Sequence, residues 1–457
     1  VRASETPQTQ AGDPSSAWVE ARWVRYLLLL ALAFPAFLPF NFVYRFGVNL
    51  PYWDQWEFIP TLVSFHEGQL TLDALTAQHN EHRLFFPRLI MLGLAALTRW
   101  NTVAEMYFNA GLLVALGAVL LHAHVRAFGA SNRSLFAFLP IPWLVFTFRQ
   151  FENLIWGWQL QITLCVLSCV VSLYWLTEVR GLGARWAGAV ASAFLATFSF
   201  GSGIALWPAG LAVLLWQGRR EGRTPWRAVL GWSLAAALAG AMYAWNFRRT
   251  ETHPDPLTFL KDPGAAVLFL LNTLGAPTSH TSTTTVAFGG LLVAAVGVVL
   301  LELRRRRVTP GPEAFALGLL LFVGGVAVLV MIGRAGLDQW FGASSRYTTF
   351  TLLGFVGLHR ALLTLQEPGR RGLLMGVLIA ATVATGVWSF TEGVATGFTY
   401  RNNFRSYREA LLTYEARPDP ELQGMHPRGH EVRRYAVELQ RLGLSVFAEK
   451  REAPARP

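Results

Sequence analysis

Residues 23–46 read WVRYLLLLALAFPAFLPFNFVYRF, and residues 47–88 follow as GVNLPYWDQWEFIPTLVSFHEGQLTLDALTAQHNEHRLFFPR. The first stretch is apolar and long enough to cross a hydrocarbon core, which takes roughly 20 helical residues over about 30 Å. The second carries Asp54, Glu57, Asp73, His79, Glu81, His82 and Arg83 among Trp53, Trp56, Phe85 and Phe86. A plain connector between membrane helices needs no such collection. Together they predict an all-α, polytopic bundle of transmembrane helices with a site in the first loop beside the membrane.

Composition agrees. The chain is 53% hydrophobic and 15% charged, where a soluble domain has about 25% charged residues. The net charge of +11 is nearly all arginine, since Lys261 and Lys450 are the only lysines. In a membrane chain that excess belongs to cytoplasmic loops, which collect basic residues and fix topology, so no nucleic-acid partner is expected. Cys165 and Cys169 sit in one apolar segment and read as inert buried thiols. No disulfide framework or zinc spacing is visible. Residues 1–21 are polar and lack a signal-peptide cleavage pattern, so the first apolar run is expected to stay as an anchor.

Arg22 and Arg25 put the N-terminal segment 1–22 in the cytoplasm and the first loop, 47–102, outside. Further spans are expected at 103–125, 134–148, 160–177, 186–200, 203–217, 228–247, 286–303, 313–333, 347–365 and 372–390. The run Arg304–Arg307 is the strongest cytoplasmic marker. Counting back from it, the apolar segment 84–98 cannot cross and must lie along the outer face. That gives about eleven spans within a bundle from 23 to 390. It also gathers 149–159, 201–203, the polar stretch 248–285 and 333–346 on the outer face. The tail, 391–457, lies outside too, with helices near 403–416 and 429–442 packed on the rim of the bundle. The expected setting is the inner (cell) membrane with an extracytoplasmic site.

Four groups can carry chemistry. If 54–66 is helical, Asp54 and Glu57 share a face, and a carboxylate against a low-dielectric wall can hold a raised pKa and act as a base. The alternative is a helix cap. Trp53 and Trp56 fit an interface belt or a sugar platform. His79, Glu81, His82 and Arg83 can supply acid, base and phosphate-binding groups. A divalent metal on the histidine pair is a second option, and a solvated turn a third. Glu152, Asn153, Trp156, Trp158 and Gln159 suit an outer pocket or an interface anchor. Arg346-Tyr347 puts a guanidinium at an outer helix mouth, suited to bidentate phosphate contact or to snorkelling towards lipid. Arg334 and Arg248-Arg249 are weaker candidates of the same kind.

The arrangement resembles the GT-C superfamily of membrane glycosyltransferases that use polyprenyl-phosphate sugars. One span leads into an outer acidic motif, Tyr52-Trp53-Asp54-Gln55-Trp56-Glu57. The loop ends in His82-Arg83-Leu84-Phe85-Phe86-Pro87-Arg88 and a juxtamembrane helix. The next span ends in a basic inner loop, 122–133, and a late outer loop enters a span through Ser345-Arg346-Tyr347. The family's adjacent acids are here split as Asp54 and Glu57, and its proline pair is Phe86-Pro87. The resemblance implies Asp54 as the catalytic carboxylate and Arg346 as a lipid-phosphate ligand; Glu57 and Glu81 of the same loop are the next candidates for the base. It implies one inverting displacement; the acceptor is expected to be a lipid, glycan or protein, and no cofactor is certain, a divalent metal being an option. His79, His82, Arg83, Glu152, Gln159 and Tyr347 are the expected substrate-binding residues. A transporter or flippase is the rival reading, but the spans hold few ionisable residues and no internal repeat is visible. A non-catalytic assembly protein is a third.

Overall fold

A computed structural model describes residues 21–250, 253–279, 281–305, 312–334, 336–365 and 368–448. Residues 1–20, Arg306 and Arg307 of the arginine run, and 366–367 of a basic loop lie outside the described residues. The described chain is helical nearly throughout. Among these residues, seven helical runs are long and apolar enough to cross a membrane: Arg22–Phe46, Thr102–Phe128, Asn132–Ile155, Gly157–Leu176, Trp226–Ala244, Thr283–Arg304 and Pro312–Arg334. Their outward faces are apolar. On Trp226–Ala244 the exposed large apolar side chains are Trp226, Leu230, Leu234, Leu238 and Met242, an i, i+4 stripe suited to a lipid-facing surface.

The other four expected spans take other forms. Residues 186–200 and 203–217 become Ala184–Thr197 and Leu206–Glu221, helices of 14 and 16 residues. Ser345–Thr364 has 20 residues and is buried along nearly its whole length. It therefore touches protein rather than lipid and can carry buried Thr348, Thr349, His359 and Arg360. The fourth is the start of Pro368–Leu412, a helix of 45 residues that runs through 390 without a break. A boundary at 390 is therefore replaced by one rod joining bundle and tail. Gly393 and Gly397, one turn apart, let that rod lie against Phe148 and Phe46, where an added Cβ would come within 2.4 and 2.6 Å of those side chains.

Two further corrections concern local structure. The stretch 248–285 contains the apolar helix Pro263–Gly275, whose Asp262 carboxylate accepts from Ala265 N–H at 2.9 Å with Pro263 at the first helical position. Segment 134–148 is split into Asn132–Phe138 and Pro140–Val145, because Pro140 and Pro142 remove helical donors.

The apolar core has two parts. One fills the bundle, from Leu28 to Leu378. The other joins Val48, Trp56, Phe58 and Leu62 of the first loop to Met91 and Leu92 of the helix Phe85–Thr98 and to Phe404, Leu411, Val432, Leu439 and Phe447 of the tail. The tail helix Gly429–Leu442 buries Val432, Ala436 and Leu439, spaced i, i+4, i+7 on one face. Each large side chain so buried is worth roughly 1.5–3 kcal/mol. The tail thus shares a core with the first loop and does not merely rest on a rim.

Candidate functional site

The first loop is fixed from below. Glu105, buried in the helix Thr102–Phe128, accepts from Gln55 Nε2 at 2.8 Å and from Trp100 Nε1 at 3.0 Å. Trp53 takes a left-handed conformation at φ 48° and donates its N–H to Met425 O of the tail at 2.8 Å. The helix Gln55–His66 starts after Asp54, but the Asp54 side chain makes no capping hydrogen bond. It turns towards His79, with Oδ2 3.4 Å from Nε2. Trp56 is wholly buried and packs in the core, whereas Trp53 stays exposed.

His79 and His82 sit on a two-strand hairpin, Gln78–His79 and His82–Arg83, which an all-helical reading does not contain. Its two-residue turn puts Asn80 at φ 48°, a conformation asparagine tolerates. The spacing of three therefore makes the two histidines cross-strand partners rather than neighbours along a helix. Their rings have different partners. His79 lies between two carboxylates, with Nδ1 3.3 Å from Glu57 Oε2. His82 Nδ1 accepts from Gly201 N–H at 3.2 Å, and its ring lies 3.9 Å from that of Phe200. An added Cβ on Gly201 would come within 2.9 Å of His82 Nδ1 and of Tyr243 Oη.

Electrostatics separate the acids. Burial pushes the Asp54 carboxyl up, but His79, with Arg346 and His82 behind it, outweighs burial and holds it below its usual range. The raised value expected for a base at a membrane wall does not arise, because imidazole and guanidinium groups line that wall. His426 lowers Glu57 most, burial opposes it, and His79 and Arg428 add to the lowering. Glu81 is the hub of a tighter set. Its Oε1 pairs with Arg334 and stands 3.7 Å from His82 Nε2, while Oε2 is 3.3 Å from His253 Nδ1. Burial alone would raise it, yet His82, Arg334 and His253 hold it at about 2. Burial pushes His82 down to about 4 against the pull of Glu81, so its ring is neutral at pH 7.

Glu81, His82, His253, Arg334 and Tyr347 line a cavity of about 310 Å³ together with Phe200, Gly201, Tyr243 and Arg249. Arg346 lines a second cavity of about 400 Å³ with Arg149, Glu152, Ser344, Ser345 and Glu392. Its Nε donates to Ser344 Oγ at 3.1 Å, and its guanidinium carbon is 5.8 Å from the Tyr347 ring centre.

Three expected substrate ligands are engaged or buried within the protein itself. Arg83 is spent on backbone carbonyls, donating to Tyr243 O at 3.0 Å, Thr76 O at 3.2 Å and Trp245 O. Glu152 accepts from Ser345 Oγ at 2.7 Å and from Arg346 N–H at 3.2 Å, so it caps the helix Ser345–Thr364 from another segment. Gln159 is buried in the short turn before Leu160–Leu176. Sequence reasoning missed His253, Gly201 and Glu105, and underrated Arg334. The available signals were the Gly-Ser-Gly break at 201–203 and an acid just inside a span. No group of three or more His, Cys, Asp or Glu residues that could hold a metal ion occurs among the described residues.

No family model matches the chain, and no solved structure matches it. It is similar to an uncharacterized protein of Archaeoglobus fulgidus, 27% identical over 187 residues, with 36% of this chain and 46% of the relative covered. The match thus spans about half the relative's length.

Proposed function

We propose that this chain is an integral-membrane glycosyltransferase that moves a sugar from a polyprenyl-phosphate donor to an acceptor hydroxyl at the outer face of the cell membrane. On this reading the bundle crosses about eleven times, with the first loop and the tail outside. The observation that carries it is Asp54: a carboxylate free of any capping role, with an imidazole at 3.4 Å and within the field of Arg346. Transfer from a lipid phosphate needs a base for the acceptor hydroxyl and fixed positive charge for the departing phosphate. Asp54 supplies the first and Arg346 the second. The sugar's anomeric centre is inverted in one displacement. Lowering Asp54 keeps it ionised and ready, at the cost of basicity.

The test is sugar transfer by purified protein from polyprenyl-phosphate sugars to lipid, glycan and protein acceptors, read as release of polyprenyl phosphate. Release that depends on Asp54 supports the proposal. Movement of labelled lipid across vesicles without release would point to a transporter instead. For topology, cysteines introduced at Asp73 and Arg304 in a Cys165/Cys169-free chain should label from outside at 73 only. Outside labelling at 304 overturns the arrangement.

A further inference from the structure

Asp54 belongs to a chain of alternating carboxylates and imidazoles that reaches the C-terminal tail. Its Oδ2 faces His79 Nε2 at 3.4 Å, and His79 Nδ1 faces Glu57 Oε2 at 3.3 Å. Glu57 Oε1 is in turn 3.3 Å from Arg428 Nη2 and 3.9 Å from His426 Nε2, both on the tail. The His79 ring is buried, set edge-on to Trp158 at 5.1 Å, and its backbone is clamped by the hairpin. Asn80 Nδ2 lies 3.3 Å from His79 Nε2. Nε2 faces the Asp54 carboxylate and Nδ1 faces the Glu57 carboxylate, so each ring nitrogen meets an acid. Buried in this way, His79 reaches substrate only through Asp54.

We propose that His79 is a positioning residue that aims the Asp54 carboxylate through Nε2, with Glu57 holding Nδ1 and the tail residues Arg428 and His426 holding Glu57. The proposal rests on the glycosyltransferase reading. In the step, the acceptor O–H bond breaks as its oxygen bonds to the anomeric carbon. The bond from that carbon to the phosphate oxygen breaks, and its electron pair leaves on the phosphate. The proton goes to Asp54, which His79 Nε2 holds in place at 3.4 Å. Nothing is oxidised or reduced. The tail is then a working part of the site, although Arg428 and Glu57 are 371 positions apart in the chain.

The experiment is turnover of purified, full-length His79→Ala. The expected result is a fall in kcat of about 10²-fold, the low end of what a base contributes, with donor KM unchanged. Added imidazole should restore turnover and added pyrazole should not, since pyrazole has the same ring shape but is a far weaker base. Restoration by both rings reduces His79 to a space-filler and overturns the proposal, as does unchanged kcat. Should His79→Ala fail to fold, His79→Gln keeps hydrogen-bonding groups without the imidazole. Reduced kcat at wild-type melting temperature then supports the proposal, and wild-type kcat overturns it. Sugar transfer that needs Asp54 but not His79 removes this role alone. Absence of transfer by the wild type removes the glycosyltransferase reading and this role with it.

Discussion

Asp54 and Glu81 are acids of the same loop in opposite settings. Asp54 has one close imidazole at 3.4 Å and a more distant guanidinium field. Glu81 is gripped by Arg334, His82 and His253 and sits at about 2. A carboxylate at 2 holds a proton about 10⁵-fold less well than a solution group poised at 7 would. Glu81 is therefore a tie between the first loop, the helix Pro312–Arg334 and the segment around His253. Asp54 has one close partner, and on the proposed reading it is the acid that accepts the proton. On the proposed reading, the acid with three close partners is structural and the one with a single close partner is reactive.

The largest test of that contrast is Asp54→Asn. Turnover should fall by about 10²–10⁴-fold while the melting temperature holds, because no cap bond is lost. A stable, active variant would erase the distinction. Arg346 acts on Asp54, so it should separate the two acids next. Arg346→Ala should weaken donor use by about 2–3 kcal/mol, the scale of hydrogen bonds to charged groups, with Arg346→Lys intermediate. Equal turnover by both variants would remove the phosphate role.

Glu81→Gln should act on stability first, costing about 1–3 kcal/mol through the partners left behind. The sign with pH follows from a folded value of about 2 against an ordinary 4.5. The Glu81 contribution is whole above pH 4.5 and is lost as pH falls towards 2. Acid melts of wild type and Glu81→Gln should therefore converge at low pH, and parallel curves would refute the tie. The smallest effect is expected from Gly201→Ala, whose Cβ would press on His82 Nδ1 and Tyr243 Oη at 2.9 Å. Overpacking of that kind costs typically about 1–3 kcal/mol, lessened if the His82 ring yields. An unchanged melting temperature would mean that His82 is loosely held.

Local pattern made much of this legible. The first span, the helix after Asp54, the helix Phe85–Thr98 and the tail helix Gly429–Leu442 follow from apolar runs and their polar ends. The helix Pro263–Gly275 was hidden by its polar flanks, although Asp262-Pro263 is a start signal. Ser345–Thr364 read as a lipid-crossing span because burial in protein and burial in lipid look alike in sequence. At the site, spacing alone could not say that His79 and His82 meet across a hairpin turn. Nor could it pair Glu81 with Arg334 or Glu57 with Arg428, since those contacts depend on how distant segments pack. The carbonyls that occupy Arg83 are equally invisible, because backbone groups carry no sequence signature.

The unbroken helix Pro368–Leu412 has a mechanical consequence. Its 45 residues span about 68 Å at 1.5 Å per residue, more than twice a hydrocarbon core. A tilt of about 5° within the bilayer would swing its far end by roughly 3 Å at a reach of about 35 Å. That end carries Phe404 against Tyr52, two residues before Asp54. On the proposed membrane reading the helix is a lever between lipid and loop, so turnover measured across bilayers of graded acyl-chain length should vary with membrane thickness.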